Sequence, residues 1–157
     1  MTKRLSVVVA ADHPGVLQEL VSLLKVKFEV VAEADSGKTA LQCVRQHHPD
    51  VVILDLEMHP LNGIETATVL GKLISPPVVV ICSGETNLDI VELCFKVGAL
   101  GYVFKSKMAQ DLVKAVEAAV RGENFVSTDG HRSCATPRTF VLDEAHRIAK
   151  KSLPKQE

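Results

Sequence analysis

Apolar positions along the chain follow two alternating patterns. Short, largely apolar runs, several rich in valine, occupy residues 5–10, 28–32, 51–54, 78–82 and 101–104, the run at 51–54 being unbroken. Such runs, bounded by turn residues, mark strands buried on both faces. Between them the apolar residues recur at three- and four-residue spacing. The sets are Val16, Leu17, Leu20, Val21 and Leu24; Ala40, Leu41 and Val44; Ile64, Ala67 and Leu70; Ile90, Leu93, Cys94 and Val97; and Leu112, Val116, Ala119 and Val120. That period predicts helices with one inward face. Five strands alternating with five helices imply a parallel sheet covered on both faces by right-handed crossovers.

The punctuation agrees. Asp12 is placed to cap the first helix, and Ser36-Gly37 opens the second. Pro49-Asp50 turns the chain into the third strand. Asn62-Gly63 precedes the third helix, which ends at Ser75-Pro76-Pro77. A fourth helix is predicted from Thr86 to Val97, stopped by Gly98, and a fifth from Met108 to Arg121. Because the strands are parallel, their C-terminal ends share one edge, where open α/β sheets bind ligands. The polar residues arriving there are Asp12, Asp55, Ser83 and Lys105. Alternation alone gives no reason for two acids, a hydroxyl and an amine.

Bulk properties narrow the field. The 157 residues suit about one domain with an appendage, and 46% hydrophobic residues suffice for a core. The net charge of −1 provides no general basic field for nucleic acid. Cys43, Cys82, Cys94 and Cys134 form no Cys-x-x-Cys pair, and reduced, buried cysteines are expected. No apolar run approaches the ~20 residues of a membrane span. Met1-Thr2-Lys3-Arg4 has no signal-peptide pattern, so a cytoplasmic location is expected.

Asp55 lies at the end of the most apolar run and is followed at once by a loop with Pro60 and Gly63. By itself it could cap a turn, and Lys105 or Ser83 alone could be ordinary surface or turn residues. Together they suit phosphoryl transfer. Two carboxylates converging on one point repel unless a cation lies between them. Asp12 and Asp55, with a carbonyl from the following loop, suit Mg²⁺, which takes one or two carboxylates and keeps waters and phosphate oxygens. A carboxylate can also act as nucleophile and form an aspartyl phosphate. The transferred group is stabilised mostly electrostatically, here by Mg²⁺, the Lys105 ammonium and the Ser83 hydroxyl.

These residues carry a resemblance. Asp55-Leu56-Glu57-Met58 and Asn62-Gly63 resemble the phosphoacceptor strand and loop of response-regulator receiver domains of two-component signalling. Ser83-Gly84 matches that family's hydroxyl and small residue, Lys105 its lysine, and Tyr102 its aromatic switch position. The resemblance covers residues 4–121. Ala11-Asp12-His13-Pro14 and Gly101-Tyr102-Val103-Phe104-Lys105 look most like regulators with a LuxR-type helix-turn-helix. It implies a flavodoxin-like (βα)5 doubly wound sheet of five strands in the order 2-1-3-4-5, with a receiver at 1–122. Asp55 would accept a phosphoryl group from a sensor histidine kinase or phosphotransfer protein, with Ser83 and Lys105 assisting. Mg²⁺ would be held by Asp12, Asp55 and the backbone carbonyl of Glu57, whose side chain could add a carboxylate.

Switching also follows from the resemblance. Phosphorylation would draw Ser83 toward the phosphoryl group and let Tyr102 turn inward, remodelling the face of the fourth helix, fifth strand and fifth helix. Glu57 and Glu85 flank the site and bear on hydrolysis of the acyl phosphate. A second copy of the chain is a further partner, and no membrane is implied. Nucleic acid would be reached only through an output domain absent from this chain. The chain is not expected to be an enzyme beyond its own phosphorylation and dephosphorylation.

Three departures from the family pattern stand out. Ala11 replaces the first of two adjacent acids, which weakens the expected Mg²⁺ site. His59 stands where proline is common, with Pro60 one position later. Ser106 follows Lys105 where many receivers have proline. A degenerate receiver, acting by binding without phosphorylation, is therefore one alternative. A haloacid-dehalogenase-like phosphatase is another, although it wants Asp where Glu57 stands. The stretch from Ala32 to Thr39 ends like a P-loop, but Ala32 replaces its first glycine, and Glu33 and Asp35 would confront the phosphates. Residues 123–157 are expected to be linker with a short amphipathic helix over 139–151, too little for a helix-turn-helix output.

Overall fold

The computed structural model describes residues 3–127. Strands β1 (Ser6–Ala10), β2 (Glu29–Ala34), β3 (Val51–Asp55), β4 (Val78–Ser83) and β5 (Gly101–Phe104) alternate with helices α1 (Pro14–Leu24), α2 (Gly37–His47), α3 (Gly63–Gly71), α4 (Leu88–Lys96) and α5 (Met108–Val120). All pair in parallel, in the order β2-β1-β3-β4-β5. The expected five-strand sheet is extended at one edge. Phe125–Val126 forms a short sixth strand, β6, parallel to β5, with Phe125 opposite Gly101 and Val126 opposite Tyr102. Two residues cannot display a period, so the sequence pattern gives no sign of it. The predicted helix over 139–151 and Cys134 lie outside the described residues.

Side chains alternate across the sheet and build two cores. Val7, Val9, Ile53, Val80 and Val103 face α1 and α5, meeting Leu20, Leu24, Leu112 and Val116. Val8, Ala10, Val52, Leu54, Ile81 and Tyr102 face α2, α3 and α4, meeting Ala40, Val44, Leu70 and Cys94. Both faces of β3 are covered, which explains why its sequence reads as one apolar run.

Several boundaries differ from the pattern. The second strand is shifted toward Ala34, because its alternating Glu29 and Glu33 sit on an edge strand that tolerates exposed side chains. Helix α4 starts at Leu88, capped by Asn87, whose Oδ1 accepts the Asp89 N–H at 2.8 Å. Its buried face is Val91, Cys94 and Phe95, while Ile90 and Val97 pack at the margin. Val120, expected inside, is exposed at the last turn of α5. Gly98 adopts φ +116°, a backbone that favours glycine, and this ends the α4 segment as predicted. Cys82 and Cys94 are buried and their thiols are pushed up to about 12, chiefly by burial; Cys43 is half-buried. Among the described residues no helix is long and apolar enough to cross a membrane.

Candidate functional site

Asp55 ends the central strand β3 and is 1% exposed. Both carboxylate oxygens are engaged. Oδ2 meets Lys105 Nζ at 3.0 Å, and Oδ1 accepts the Glu57 N–H at 3.2 Å. A buried carboxylate needs such partners, because desolvation of an unpaired charge is costly. The loop after Asp55 is closed tightly. Gly63 N–H donates to the Leu56 carbonyl at 2.9 Å, and a Cβ at Gly63 would lie 2.7 Å from the Asp55 carbonyl oxygen. Only glycine lets α3 start that close to the strand end. Asn62 and Glu65 close a capping box that fixes this start. The chain reaches it through a cis His59–Pro60 bond.

Lys105 follows β5 directly and opens a 3₁₀ turn, Lys105–Lys107. The Lys105–Ser106 bond is trans. Lys105 remains 27% exposed, so its ammonium bridges the buried Asp55 and solvent. Ser83 ends β4, the strand between those of Asp55 and Lys105. Its hydroxyl is buried and accepts the Glu85 N–H at 2.9 Å. Tyr102 is already turned inward, with no exposure, and its phenol donates to the Glu85 carbonyl at 2.7 Å. Burial pushes that phenol well above its ordinary value, with a smaller opposing pull from the Ser83 hydroxyl. Phe104 meets Tyr102 edge-on, ring centroids 5.9 Å apart. Expected to be inward only after phosphorylation, Tyr102 is inward here because its ring completes the core under α4.

Asp12 is not the cap of α1. His13 takes that place, its Nδ1 accepting the Val16 N–H at 3.4 Å. Asp12 is exposed and makes no hydrogen bond or ion pair to another described residue. Since Ala10 pairs with Leu54, the register places Ala11 beside Asp55, with Asp12 one residue further toward the edge. Ala11 is buried in the core. Among the described residues no three His, Cys, Asp or Glu side chains form a cluster suited to a metal. The donors present, two carboxylates and a loop carbonyl, fit Mg²⁺ in a lean form, because that ion retains several waters. Glu57 is exposed and directs its N–H, not its carboxylate, at Asp55.

The chain matches the response regulator receiver domain model over residues 7–117 and belongs to that family. It is 33% identical over 116 residues to the transcriptional regulatory protein PdtaR of Mycobacterium tuberculosis, covering 73% of this chain and 56% of that protein. It is 30% identical over 114 residues to the transcriptional regulatory protein LiaR of Bacillus subtilis, covering 71% and 54%. The chain thus spans little more than half the length of these relatives. Among solved structures, the signal receiver domain of NarL from Mycobacterium tuberculosis is similar with a TM-score of 0.74 at 31% identity, covering 78% of this chain and all of that one. A LuxR-family DNA-binding response regulator from Staphylococcus aureus has a TM-score of 0.70 at 27% identity, covering 74% and 98%.

Proposed function

We propose that this receiver accepts a phosphoryl group on Asp55 from a histidine kinase or phosphotransfer protein, in a Mg²⁺-dependent step, and thereby switches an interaction surface. The observation that carries this reading is the 3.0 Å pair between a buried strand-end Asp55 and Lys105. A structural ion pair would gain little from being placed at the ligand-binding edge of the sheet, opposite a buried hydroxyl.

The chain's residues divide the work. Asp55 Oδ2 is the nucleophile. It attacks the donor's phosphorus, the bond to the donor breaks, and the donor leaves with that electron pair. Lys105, already on this carboxylate, stays with the developing charge and neutralises one phosphoryl oxygen. The Glu57 N–H holds the other carboxylate oxygen and fixes the plane of attack. Ser83 rotates its hydroxyl from the Glu85 N–H to a phosphoryl oxygen, which frees the loop that Tyr102 holds through the Glu85 carbonyl. Mg²⁺, when bound by Asp12, Asp55 and the Glu57 carbonyl, supplies charge neutralisation and orientation of the phosphoryl group. Beyond forming and hydrolysing its own acyl phosphate the domain has no turnover. It works in the cytoplasm.

A phosphorylation-independent receiver is the second reading, favoured by Ala11 and by the inward Tyr102. Acetyl phosphate treatment with and without Mg²⁺, read by intact mass, separates the two. A Mg²⁺-dependent gain of one phosphoryl group, lost in Asp55→Asn, is expected. No gain at high Mg²⁺ would leave the binding-only reading.

A further inference from the structure

The described chain ends on a serine that is more than a linker residue. Ser127 is 3% exposed although it lies at the sheet edge. Its N–H donates to the Tyr102 carbonyl at 3.0 Å, continuing the β5–β6 ladder that Phe125 N–H begins at the Leu100 carbonyl. Where a continued ladder would offer a main-chain carbonyl, the Ser127 hydroxyl intervenes. It accepts the Phe104 N–H at 3.1 Å and donates to Asp111 Oδ2, in the first turn of α5, at 2.8 Å. Its one proton and one of its acceptor positions are therefore committed.

The two β5 residues gripped in this way are Tyr102 and Phe104, and the next residue is Lys105. We infer that Ser127, locked by Asp111, is a positioning residue for the phosphoacceptor site. It fixes the end of β5 so that Lys105 reaches Asp55, and it ties the chain beyond residue 127 to that geometry. The coupling runs both ways. Whatever pulls Ser127 away from β5 loosens Lys105, and whatever moves Tyr102 and Lys105 disturbs Ser127. The reactive consequence rests on the phosphoacceptor reading above; the positional one does not.

The test compares Ser127→Val with Ser127→Thr in the full 157-residue chain. The two side chains have nearly the same shape, and only threonine keeps the hydroxyl. Phosphoryl uptake from acetyl phosphate is followed by mass, and the Phe104 and Lys105 amides by exchange and NMR shift. Of the two bonds the hydroxyl makes, loss of the one to the Phe104 N–H corresponds to about fivefold. Ser127→Val is expected to slow uptake by that factor, speed exchange at Phe104 and shift the Lys105 amide, with Ser127→Thr near wild type. Should Ser127→Val fail to fold, Asp111→Ala breaks the same lock from the half-buried helix side and is read identically. Valine and threonine variants that behave alike, or a valine variant matching wild type throughout, would overturn the inference. Wild-type protein that takes up no phosphoryl group would remove the phosphoacceptor reading. The amide readouts then decide the positioning role: valine-specific changes sustain it, and their absence ends it.

Discussion

The two halves of the site edge are built differently. At the ends of β1 and β3 the acids are sparse. Ala11 is buried beside Asp55, and Asp12 is exposed without a bond to another described residue. At the ends of β4 and β5 nearly every polar group is committed. Ser83 and Tyr102 hold the two sides of the Glu85 backbone, Lys105 holds Asp55, and Ser127 and Asp111 hold Phe104. The half that would hold a metal is thus reduced, while the half that would sense and transmit is intact. A cation site can lose one acid and still bind more weakly.

The largest effect should come from breaking the dense half at its cation. Lys105→Ala is expected to slow phosphoryl uptake from acetyl phosphate about 100-fold or more, the usual scale for losing one group that stabilises transition-state charge. Uptake within a fewfold of wild type would mean that Lys105 is only a structural partner of Asp55.

Next is the hinge between the halves. Gly63→Ala places a Cβ against the Asp55 carbonyl and Leu56 backbone, which must shift. Overpacking of this kind costs about 1–3 kcal/mol, read as a lower urea midpoint with an unchanged slope. An unaltered midpoint would show that α3 retreats easily.

The sparse half can be sharpened by restoring what it lacks. In Ala11→Asp, the Mg²⁺ concentration needed for half-maximal uptake should fall about tenfold, since cation affinity follows ligand charge. Stability without Mg²⁺ should drop, because the new carboxylate is buried beside Asp55. An unchanged Mg²⁺ requirement would place the cation elsewhere.

The smallest effect concerns Tyr102. Tyr102→Phe removes the bond to the Glu85 carbonyl and should cost about 1 kcal/mol of stability. Tyrosine absorbance gives a cleaner reading, because this is the chain's single tyrosine. Its folded-state value is raised above the ordinary 10.0. The stability it contributes is therefore full below pH 10 and is lost as pH climbs toward the raised folded value, because the unfolded phenol ionises first. Phenolate should appear only as the fold is lost. Phenolate forming near pH 10 in folded protein would put Tyr102 outward in solution.

Much of this was readable in the chain. The five largely apolar runs and the 3.6-residue stripes between them fix an alternating α/β fold, because central strands buried on both faces can be little but apolar. Parallel pairing then sends Asp55, Ser83 and Lys105 to one edge, and the structure joins Asp55 to Lys105 directly. Local signals held where they were strong: Ser36 and Asn62 cap their helices, and Gly98 ends α4 in the left-handed region.

What the sequence left open depends on contacts between distant segments. Asp12 is the better cap by residue type, and only the path of the chain out of β1 selects His13. The inward Tyr102 is decided by the space under α4, and β6 by an edge that β5 leaves unpaired. Ser127, 23 residues from Phe104 and 16 from Asp111, carries no local mark of its role. Periodicity reports which side of an element is buried. It does not report which partner a lone hydroxyl finds, because that is set by the register of a strand two residues long.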